Sequence, residues 1–409
     1  MRIMMATMTC ASALLTGCAA AQPAPLVAAQ GVAMEAAPPA PPAPPPPVFV
    51  TRTAPLQELT LEQQQVLFWD DATRSARFRK MEDYFPGTEV KARSKRTLPR
   101  GDTLPGASMA LLDAYLAEHN AAGIMVLEDG RVRYEKYGLG MKATDRWTSF
   151  SVAKSFTSTL LGAAVKDGSI ASLDDPVSKY VPGLVGSAYD DVSIEQLATM
   201  TSGVAWNEDY SDPNSDVARM FAVQPVDGEP MAVTYMKTLD RDAPAGEKWV
   251  YKTGETNLIG TVVEGAVGMT LAEYAKEKIA DPAGFEDSLF WISDPTDASI
   301  GGCCLSLRLS DYARFGQFVL DGGGDVVPDG WFARATSAQA DLGNGFGYGY
   351  QWWTYPGGVY GAQGIFGQAI TIVPQRNLVV AVIGNWPRAT SSDARRDFRT
   401  AVAAVAAGK

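Results

Sequence analysis

Histidine is almost absent from this sequence, and so is the pattern that accompanies it in many serine hydrolases. The 409 residues include one histidine, His119, and no Gly-x-Ser-x-Gly segment. A serine, histidine and acid triad on an α/β-hydrolase fold needs both. The sequence therefore argues against that class, and we expect His119 to lie on a solvated face of a helix.

Cysteine is also scarce. Cys10, Cys18, Cys303 and Cys304 are the only four in the chain, and their spacing matches no pattern typical of a metal site. We therefore expect neither a metal nor another cofactor. The adjacent Cys303 and Cys304 could form a strained disulfide, but two buried thiols are the expected state.

An excess of positive charge is missing as well. Thirty-five Lys and Arg residues stand against 46 Asp and Glu, which gives a net charge of -11. Such a surface repels nucleic acid and anionic lipid, so no nucleic-acid partner is expected. The composition, 46% hydrophobic and 20% charged, is that of a globular protein with a sizeable core.

The first 18 residues have the composition of an export signal. A basic start, Met1-Arg2, precedes a mostly apolar stretch over residues 3–15 that is too short to span a bilayer. Leu15-Thr16-Gly17-Cys18 resembles the end of a bacterial lipoprotein signal peptide. The resemblance implies cleavage before Cys18, a lipid on its sulfur, and a protein in the cell envelope that meets the membrane only through this anchor, facing the periplasm or the exterior. A plain secretory signal cut near Ala21 is the alternative.

The next segments lead into the main domain. Residues 19–50 are rich in alanine and proline, and such a chain cannot bury a core and stays extended. We expect a linker that holds the folded part off a membrane, although a leader without that role fits the same composition. Residues 51–105 are then an N-terminal extension that wraps a main domain over residues 106–409.

Ser151-Val152-Ala153-Lys154 is the single Ser-x-x-Lys segment in the chain. Side chains three residues apart share a helix face, so a helix over residues 151–164 would place the Lys154 amine beside the Ser151 hydroxyl. The small and apolar residues that follow indicate a buried helix, whose first amides favour a developing oxyanion. A lysine can thus replace histidine as the base for a serine nucleophile. One such segment is expected by chance in a chain of this length, so the surrounding pattern has to support the assignment.

The order of predicted elements indicates an α+β fold. Helices are expected over residues 108–119 and 392–406, and strands over residues 123–128, 131–137, 348–355, 368–373 and 378–383. The residues between, about 160–290, are rich in helices and loops, with capping boxes that begin at Ser193 and Thr270. Strands at both ends imply one antiparallel β-sheet flanked by terminal helices, with an inserted mainly helical domain and the site between them.

At this point the chain resembles the serine β-lactamase and penicillin-binding-protein superfamily over residues 105–405, in its branch of class C β-lactamases, esterases and 6-aminohexanoate-oligomer hydrolases. Ser151 and Lys154 match the first element of that family. Tyr251, 100 residues after the serine, matches the tyrosine element. The resemblance implies an acyl-enzyme on Ser151, with Lys154 and Tyr251 carrying protons as a coupled pair. A nearby ammonium should hold the Tyr251 phenol partly as phenolate.

The third family element is expected at Ala362-Gln363-Gly364. This position implies that the amide of Ile365 donates to the oxyanion beside the amide of Ser151. The segment carries no cation for the carboxylate of a β-lactam, so esters or amides without that carboxylate are the expected substrates.

Three aromatic residues are candidates for substrate contact. Tyr210 lies where the oligomer hydrolases have a loop tyrosine, and Trp206 and Phe366 could line an apolar acyl pocket. Core packing is the ordinary role of each.

Two segments imitate class A β-lactamases. Lys252-Thr253-Gly254 spells their Lys-Thr-Gly triplet but precedes a predicted helix, and Ser211-Asp212-Pro213-Asn214 contains an extra proline. We set that interpretation aside.

The expected function is an exported serine hydrolase, similar to carboxylesterases and amidases, that acts on a small ester or amide substrate. A DD-peptidase or β-lactamase is one alternative, and a catalytically inactive binding module anchored at the envelope is another. The sequence does not indicate the oligomeric state.

Overall fold

The computed structural model describes residues 60–93, 95–226 and 228–408. The predicted signal peptide, the lipid site at Cys18, the linker and the first part of the extension lie outside these described residues. Within them the helices are α1 (Leu61–Gln64), α2 (Asp71–Arg77), α3 (Gly106–Glu118), α4 (Ala153–Lys166), α5 (Ile194–Ala198), α6 (Asp216–Met220), α7 (Met231–Met236), α8 (Thr253–Val267), α9 (Leu271–Ala275), α10 (Asp281–Ala283), α11 (Leu309–Leu320), α12 (Trp331–Ala335) and α13 (Ser392–Ala406).

The strands of the described residues form two antiparallel sheets. The strands are β1 (Gly87–Lys91), β2 (Ala121–Glu128), β3 (Arg131–Tyr137), β4 (Arg146–Thr148), β5 (Ser288–Ile292), β6 (Leu305–Arg308), β7 (Ala340–Gly343), β8 (Phe346–Tyr348), β9 (Trp353–Tyr355), β10 (Val359–Gln363), β11 (Ala369–Val373) and β12 (Leu378–Gly384). The larger sheet has the order β3-β2-β12-β11-β10-β9-β8-β7, and the smaller has the order β1-β5-β6-β4.

The larger sheet separates two hydrophobic cores. Side chains alternate between the faces of a strand, so Val380 and Val382 of β12 share a core with α3 and α13. Val379 and Ala381 belong to the other core, which continues into α11 and the helical part of the chain. Helices from both ends of the main domain therefore cover one face of an antiparallel sheet, and the predicted α+β architecture is confirmed.

The smaller sheet corrects the expectation of a single sheet. β1, from the N-terminal extension, pairs with β5 over Gly87 to Lys91, and β6 joins β5 to β4. All four strands are short. β5 is also buried along nearly its whole length, without the alternation that marks a strand with one solvated face. Their pairing depends on contacts between distant segments that the sequence pattern does not reveal.

The strand predicted over residues 348–355 is also wrong in detail. The chain forms β8 and β9 instead, separated by a tight turn in which the Gly349 amide donates to the Trp352 carbonyl at 2.8 Å. Gln351 in this turn has a φ of 63°. A Cβ on Gly349 would lie 2.0 Å from the Ala335 carbonyl oxygen, so glycine lets the turn approach its neighbour.

The part of the chain between β4 and β5 forms the inserted helical domain. Its described residues form helices and loops but no strand ladder. Both predicted capping boxes are present: the Ser193 and Thr270 side chains accept from the amides of Gln196 and Glu273, whose side chains reach back to the cap amides.

The extension is more firmly attached than a wrapping segment. The guanidinium of buried Arg74, in α2, donates to the Asn385 side chain at 2.7 Å and to the carbonyls of Trp69 and Trp386. These bonds fix α2 to the end of β12. Among the residues that the structure describes, no helix is both long and apolar enough to cross a bilayer.

Candidate active site

The predicted nucleophile lies at the entrance to the most buried helix of the site. Ser151 occupies a 3-10 turn over Phe150–Val152, and α4 begins two residues later, at Ala153. Phe150 has a φ of 42° although it is not glycine, and its side chain is buried. A bulky residue persists in this region only where its surroundings hold it, so packing fixes the backbone before Ser151.

Lys154 approaches Ser151 as the sequence spacing predicts. Its side chain is 1% exposed, and Nζ lies 3.2 Å from Ser151 Oγ, 3.0 Å from Thr253 Oγ1 and 2.7 Å from the Gly302 carbonyl oxygen. Burial lowers the pKa of Lys154 from 10.5 to about 7, although the negative charge of Glu208 raises it. A neutral amine able to accept the Ser151 proton is therefore well populated near neutral pH.

Tyr251 completes the cluster, but not in the expected state. Tyr251 lines the same cleft as Ser151, its ring lies 5.3 Å from Lys154 Nζ, and it stacks on the Trp353 ring with the ring centroids 5.5 Å apart. Burial and the charge of Glu208 raise the pKa of Tyr251 above its usual range. The predicted partial phenolate is therefore wrong, because burial and the negative charge of Glu208 both disfavour the anion. Tyr251 remains a phenol, suited to donating a proton.

Glu208 and Thr253 form a second layer that the sequence reasoning missed as functional residues. Glu208 accepts from the Thr253 amide at 2.9 Å, from the Tyr210 hydroxyl at 2.6 Å, and from the Thr253 hydroxyl and the Trp206 indole. Thr253 Oγ1 in turn accepts from Lys154. The hydrogen bonds from the Lys154 amine to the Thr253 hydroxyl, and from that hydroxyl to the Glu208 carboxylate, orient the base. In the sequence, the only indication of this role was that Glu208 lies between the candidate aromatic residues Trp206 and Tyr210.

The expected oxyanion donor lies beside the nucleophile. Gly364, after β10, packs so closely on the turn before α4 that an added Cβ would lie 3.2 Å from the Ser151 nitrogen and 2.6 Å from the Ser149 carbonyl oxygen. Ile365 therefore follows at the wall of the same cleft as Ser151. This proximity is compatible with a pair of amide donors.

Phe366 is a correction to the predicted substrate contacts. It is 1% exposed, has a φ of 59°, and its ring contacts Phe150 at 5.3 Å and Phe78 at 5.6 Å. Its ring is enclosed by these side chains instead of facing the cavities at Ser151. Phe366 supports the backbone beside Ile365 from behind the site.

Of the other two aromatic candidates, Tyr210 lines both cavities that contain Ser151. Trp206 lines neither: its indole donates to Glu208, and its ring packs edge-on against Tyr235 at 6.5 Å. The expectation that Trp206 contacts the substrate therefore stays a prediction.

Two residues set aside as catalytic candidates have structural partners. Lys252 is fully buried and forms an ion pair with Glu255 at 3.1 Å, so its ammonium is occupied inside the helical domain. His119 ends α3, and its Nε2 lies 3.1 Å from an oxygen of Asp397 in α13. The solvated position predicted for His119 is wrong, because α13 covers that end of α3.

Cys303 and Cys304 are joined by a disulfide bond, so the expectation of two free thiols is wrong. They follow Gly302, whose carbonyl holds the Lys154 amine. Both cysteines line a cavity that reaches Ser151. The tight loop that brings this carbonyl to the base also brings the two sulfurs together at the site.

The cleft also contains a cation that the sequence reasoning did not expect. Arg395, from α13, donates to the Gly364 carbonyl at 3.0 Å and lies 4.7 Å above the Trp386 ring. Burial lowers the pKa of Arg395, but a guanidinium group keeps its positive charge in proteins near neutral pH. The triplet at residues 362–364 indeed lacks a cation, yet the terminal helix supplies one nearby, which tertiary packing alone reveals.

Two cavities of different character meet at Ser151. One is an open cleft of about 860 Å³ whose walls include Tyr251, Trp353 and Arg395. The other is a less open, mostly apolar cavity of about 50 Å³, which we call the closed cavity to distinguish it from the open cleft. Within the described ranges no group of three or more His, Cys, Asp or Glu side chains is arranged to hold a metal ion.

Comparisons with known proteins agree on the kind of protein. The Beta-lactamase family model matches residues 110–405. A 6-aminohexanoate-dimer hydrolase of Paenarthrobacter ureafaciens is 30% identical over 347 residues, which cover 78% of this chain and 87% of that protein. A lovastatin esterase of Penicillium rubens is 29% identical over 192 residues, 43% of this chain and 47% of the esterase.

A solved structure has a similar fold. A protein of Bacillus anthracis assigned as a 6-aminohexanoate-dimer hydrolase superposes with a TM-score of 0.72 at 21% identity, and the match covers 82% of this chain and 94% of the other.

Proposed function

The chain belongs to the beta-lactamase family and is a beta-lactamase-related hydrolase, and from this premise we propose that it cleaves an ester or amide bond of a small molecule through an acyl-enzyme on Ser151. The observation that carries the proposal is the Lys154 amine, 3.2 Å from Ser151 Oγ with a pKa lowered to about 7. A buried neutral amine in hydrogen-bond reach of a serine is the arrangement that general-base activation requires.

In the acylation step, neutral Lys154 accepts the hydroxyl proton as Ser151 Oγ attacks the substrate carbonyl carbon. The negative charge that develops on the carbonyl oxygen is held by the amides of Ser151 and Ile365. As the bond to the leaving group breaks, the Tyr251 hydroxyl protonates the departing atom, and the Lys154 ammonium replaces the phenolic proton. The leaving group departs neutral and Ser151 carries the acyl group.

In the second step, water repeats the attack. Lys154 accepts a proton from the water as its oxygen bonds to the acyl carbon, the Ser151 ester bond breaks, and the proton returns to Ser151 Oγ. The acid product leaves and the starting state is restored. Glu208 and Thr253 take no proton in either step; they position the amine.

Replacing Ser151 by Ala tests the proposal. We expect kcat/KM for p-nitrophenyl esters or p-nitroanilides to fall by about three orders of magnitude or more, because the nucleophile is lost. A fluorophosphonate probe should label the wild type but not S151A. A Ser155→Ala variant is the matched control, since Ser155 donates to the Gln351 carbonyl within α4's packing. Unchanged turnover in S151A would end the proposal, and an unlabelled wild type would indicate a catalytically inactive binding module.

Arg395 favours a second candidate function. A guanidinium beside Gly364 could hold the carboxylate of a penicillin or of a peptide terminus, as a β-lactamase or DD-peptidase needs. A lasting penicillin adduct on Ser151, or rapid nitrocefin hydrolysis, that is lost in Arg395→Ala would support this candidate. Absence of both, with ester turnover intact, would reject it.

Export and lipid attachment at Cys18 are part of the proposal and rest on residues 1–18 alone. Cys18→Ala should move the protein from the membrane fraction to the soluble fraction. A protein that is soluble in both forms would contradict the anchor.

A further inference from the structure

The two cavities at Ser151 share three residues that mark the position of the reacting carbonyl. Ser151, Tyr210 and Ile365 line both cavities. The nucleophile and the proposed oxyanion donor must both lie next to the scissile carbonyl. The substrate therefore straddles this point, with one part in the open cleft and the other in the closed cavity.

The position of Tyr251 indicates which cavity holds the leaving group of the substrate and which holds the acyl group. Its side chain lines the open cleft but not the closed cavity. The proton donor must reach the departing atom, so the leaving group lies in the open cleft, where it can also exit to solvent. The acyl group, which stays on Ser151 between the two steps, therefore lies in the closed cavity.

The walls of the closed cavity restrict the chemistry of this acyl group. Val66 and Leu67 of the extension, Val217 and Phe221 of the helical domain, and the Cys303–Cys304 disulfide all line it. Its lining contains no Asp, Glu, Lys or Arg. A charged acyl group would lose its hydration there without gaining a charged partner, so binding of such a group is disfavoured.

The size of the cavity restricts the length of the acyl group. A site for one water molecule needs roughly 10–15 Å³ measured in the same way. The closed cavity has about 50 Å³, which is room for about three to five non-hydrogen atoms by that measure.

Given the proposed function, on which this assignment rests, we propose that the closed cavity is the acyl site. It selects uncharged, apolar acyl groups of about three to five carbon atoms. Leu67 and Phe221 limit the length of these acyl groups. The N-terminal extension is then a specificity element, because it supplies one wall. This assignment separates the chain from its relative named a 6-aminohexanoate-dimer hydrolase, since the acyl part of such a dimer carries an ammonium group.

A chain-length series tests the assignment. With p-nitrophenyl acetate, butyrate, hexanoate and octanoate, wild-type kcat/KM should be highest at butyrate and at least tenfold lower at octanoate. Leu67→Ala should raise the ratio of kcat/KM for octanoate to kcat/KM for acetate at least tenfold. Phe221→Ala provides the same test at a second lining residue if the first variant does not fold. The matched control is Leu111→Ala, since Leu111 is 39% exposed on α3; its ratio should equal that of the wild type.

A matched pair of esters tests the charge. p-Nitrophenyl butyrate should be cleaved at least tenfold more efficiently than p-nitrophenyl 3-aminopropanoate, in which an ammonium group replaces the terminal methyl group. Equal rates for the two esters would overturn the inference. So would an octanoate-to-acetate ratio that changes in Trp353→Ala but not in Leu67→Ala or Phe221→Ala, because the acyl group would then lie in the open cleft. Ester turnover that survives in S151A would instead overturn the proposed function.

Discussion

At the scale of single residues, the proposed mechanism depends on which of two neighbouring groups accepts a proton and which donates one. Burial acts on both, but it favours the neutral amine of Lys154 and the neutral phenol of Tyr251. The pair therefore meets Ser151 with one acceptor and one donor. An ammonium and a phenolate would have been the opposite assignment, and each would be poorly solvated in this site.

Glu208 affects the pKa of Lys154, and replacing Glu208 by Gln tests this effect. Its negative charge raises the pKa of Lys154, so Glu208→Gln should lower that pKa below about 7. The acid limb of the kcat/KM profile should then move to lower pH, while the amide still accepts hydrogen bonds from Thr253 and Tyr210. A limb that moves to higher pH, measured with one p-nitrophenyl ester over the same buffers, would contradict this role.

Sequence predicted the local part of the site and missed the part made by distant contacts. Ser151 and Lys154 are three residues apart, so helical geometry alone brings them together. Tyr251 entered through a family resemblance. The contributions of Gly302, Glu208 and Arg395 come from separate loops and helices, and no local pattern indicates where those segments meet.

At the scale of elements, the long amphipathic and capped segments were the most predictable. The predicted C-terminal helix has the observed bounds, Ser392–Ala406, and both capping boxes form as expected. The short strands of the smaller sheet were not found. β4, β5 and β6 have three to five residues each, nearly all buried, and therefore no periodicity that distinguishes them from other apolar runs.

The start of α8 provides a test of an element's stability. Lys252 and Glu255 are both fully buried and pair at 3.1 Å, and burial raises the pKa of Glu255. Lys252→Met leaves that carboxyl group without its cation, so the free energy of unfolding should fall by about 3–5 kcal/mol.

Denaturant unfolding measures this loss, and Lys248→Met serves as the control. Lys248 pairs with Asp242 on the surface, with both side chains about half exposed. Its replacement should cost less than about 1 kcal/mol. Equal losses for the two variants would show that the buried pair has no special role at α8.

At the scale of the whole molecule, the N-terminal extension is an integral part of the fold. It contributes β1 to the smaller sheet, fixes α2 to the end of β12 through Arg74, and forms one wall of the cavity beside Ser151. The sequence indicated a wrapping segment. Its three contacts depend on partners that are distant in the sequence, which a linear pattern cannot supply.

Arg74→Ala tests this integration. Buried Arg74 donates to five acceptors around the end of β12 and α2, at Asn385, Trp69, Asp71, Trp386 and Pro387. Their loss should lower the free energy of unfolding by about 2–5 kcal/mol. Arg93→Ala, which removes an exposed pair with Asp281, should lower it by less than about 1 kcal/mol. A single unfolding transition is expected in both; a separate early transition in the wild type would contradict an integral extension.

The pH dependence of Ser151 acylation reports whether Lys154 is the base. The second-order rate of labelling by a fluorophosphonate should rise with pH through about 7, because Lys154 accepts a proton only as the neutral amine. Since the pKa of Tyr251 is raised, no fall should follow up to about pH 9. A limb centred near the ordinary lysine value of 10.5, or a rate independent of pH, would contradict the account.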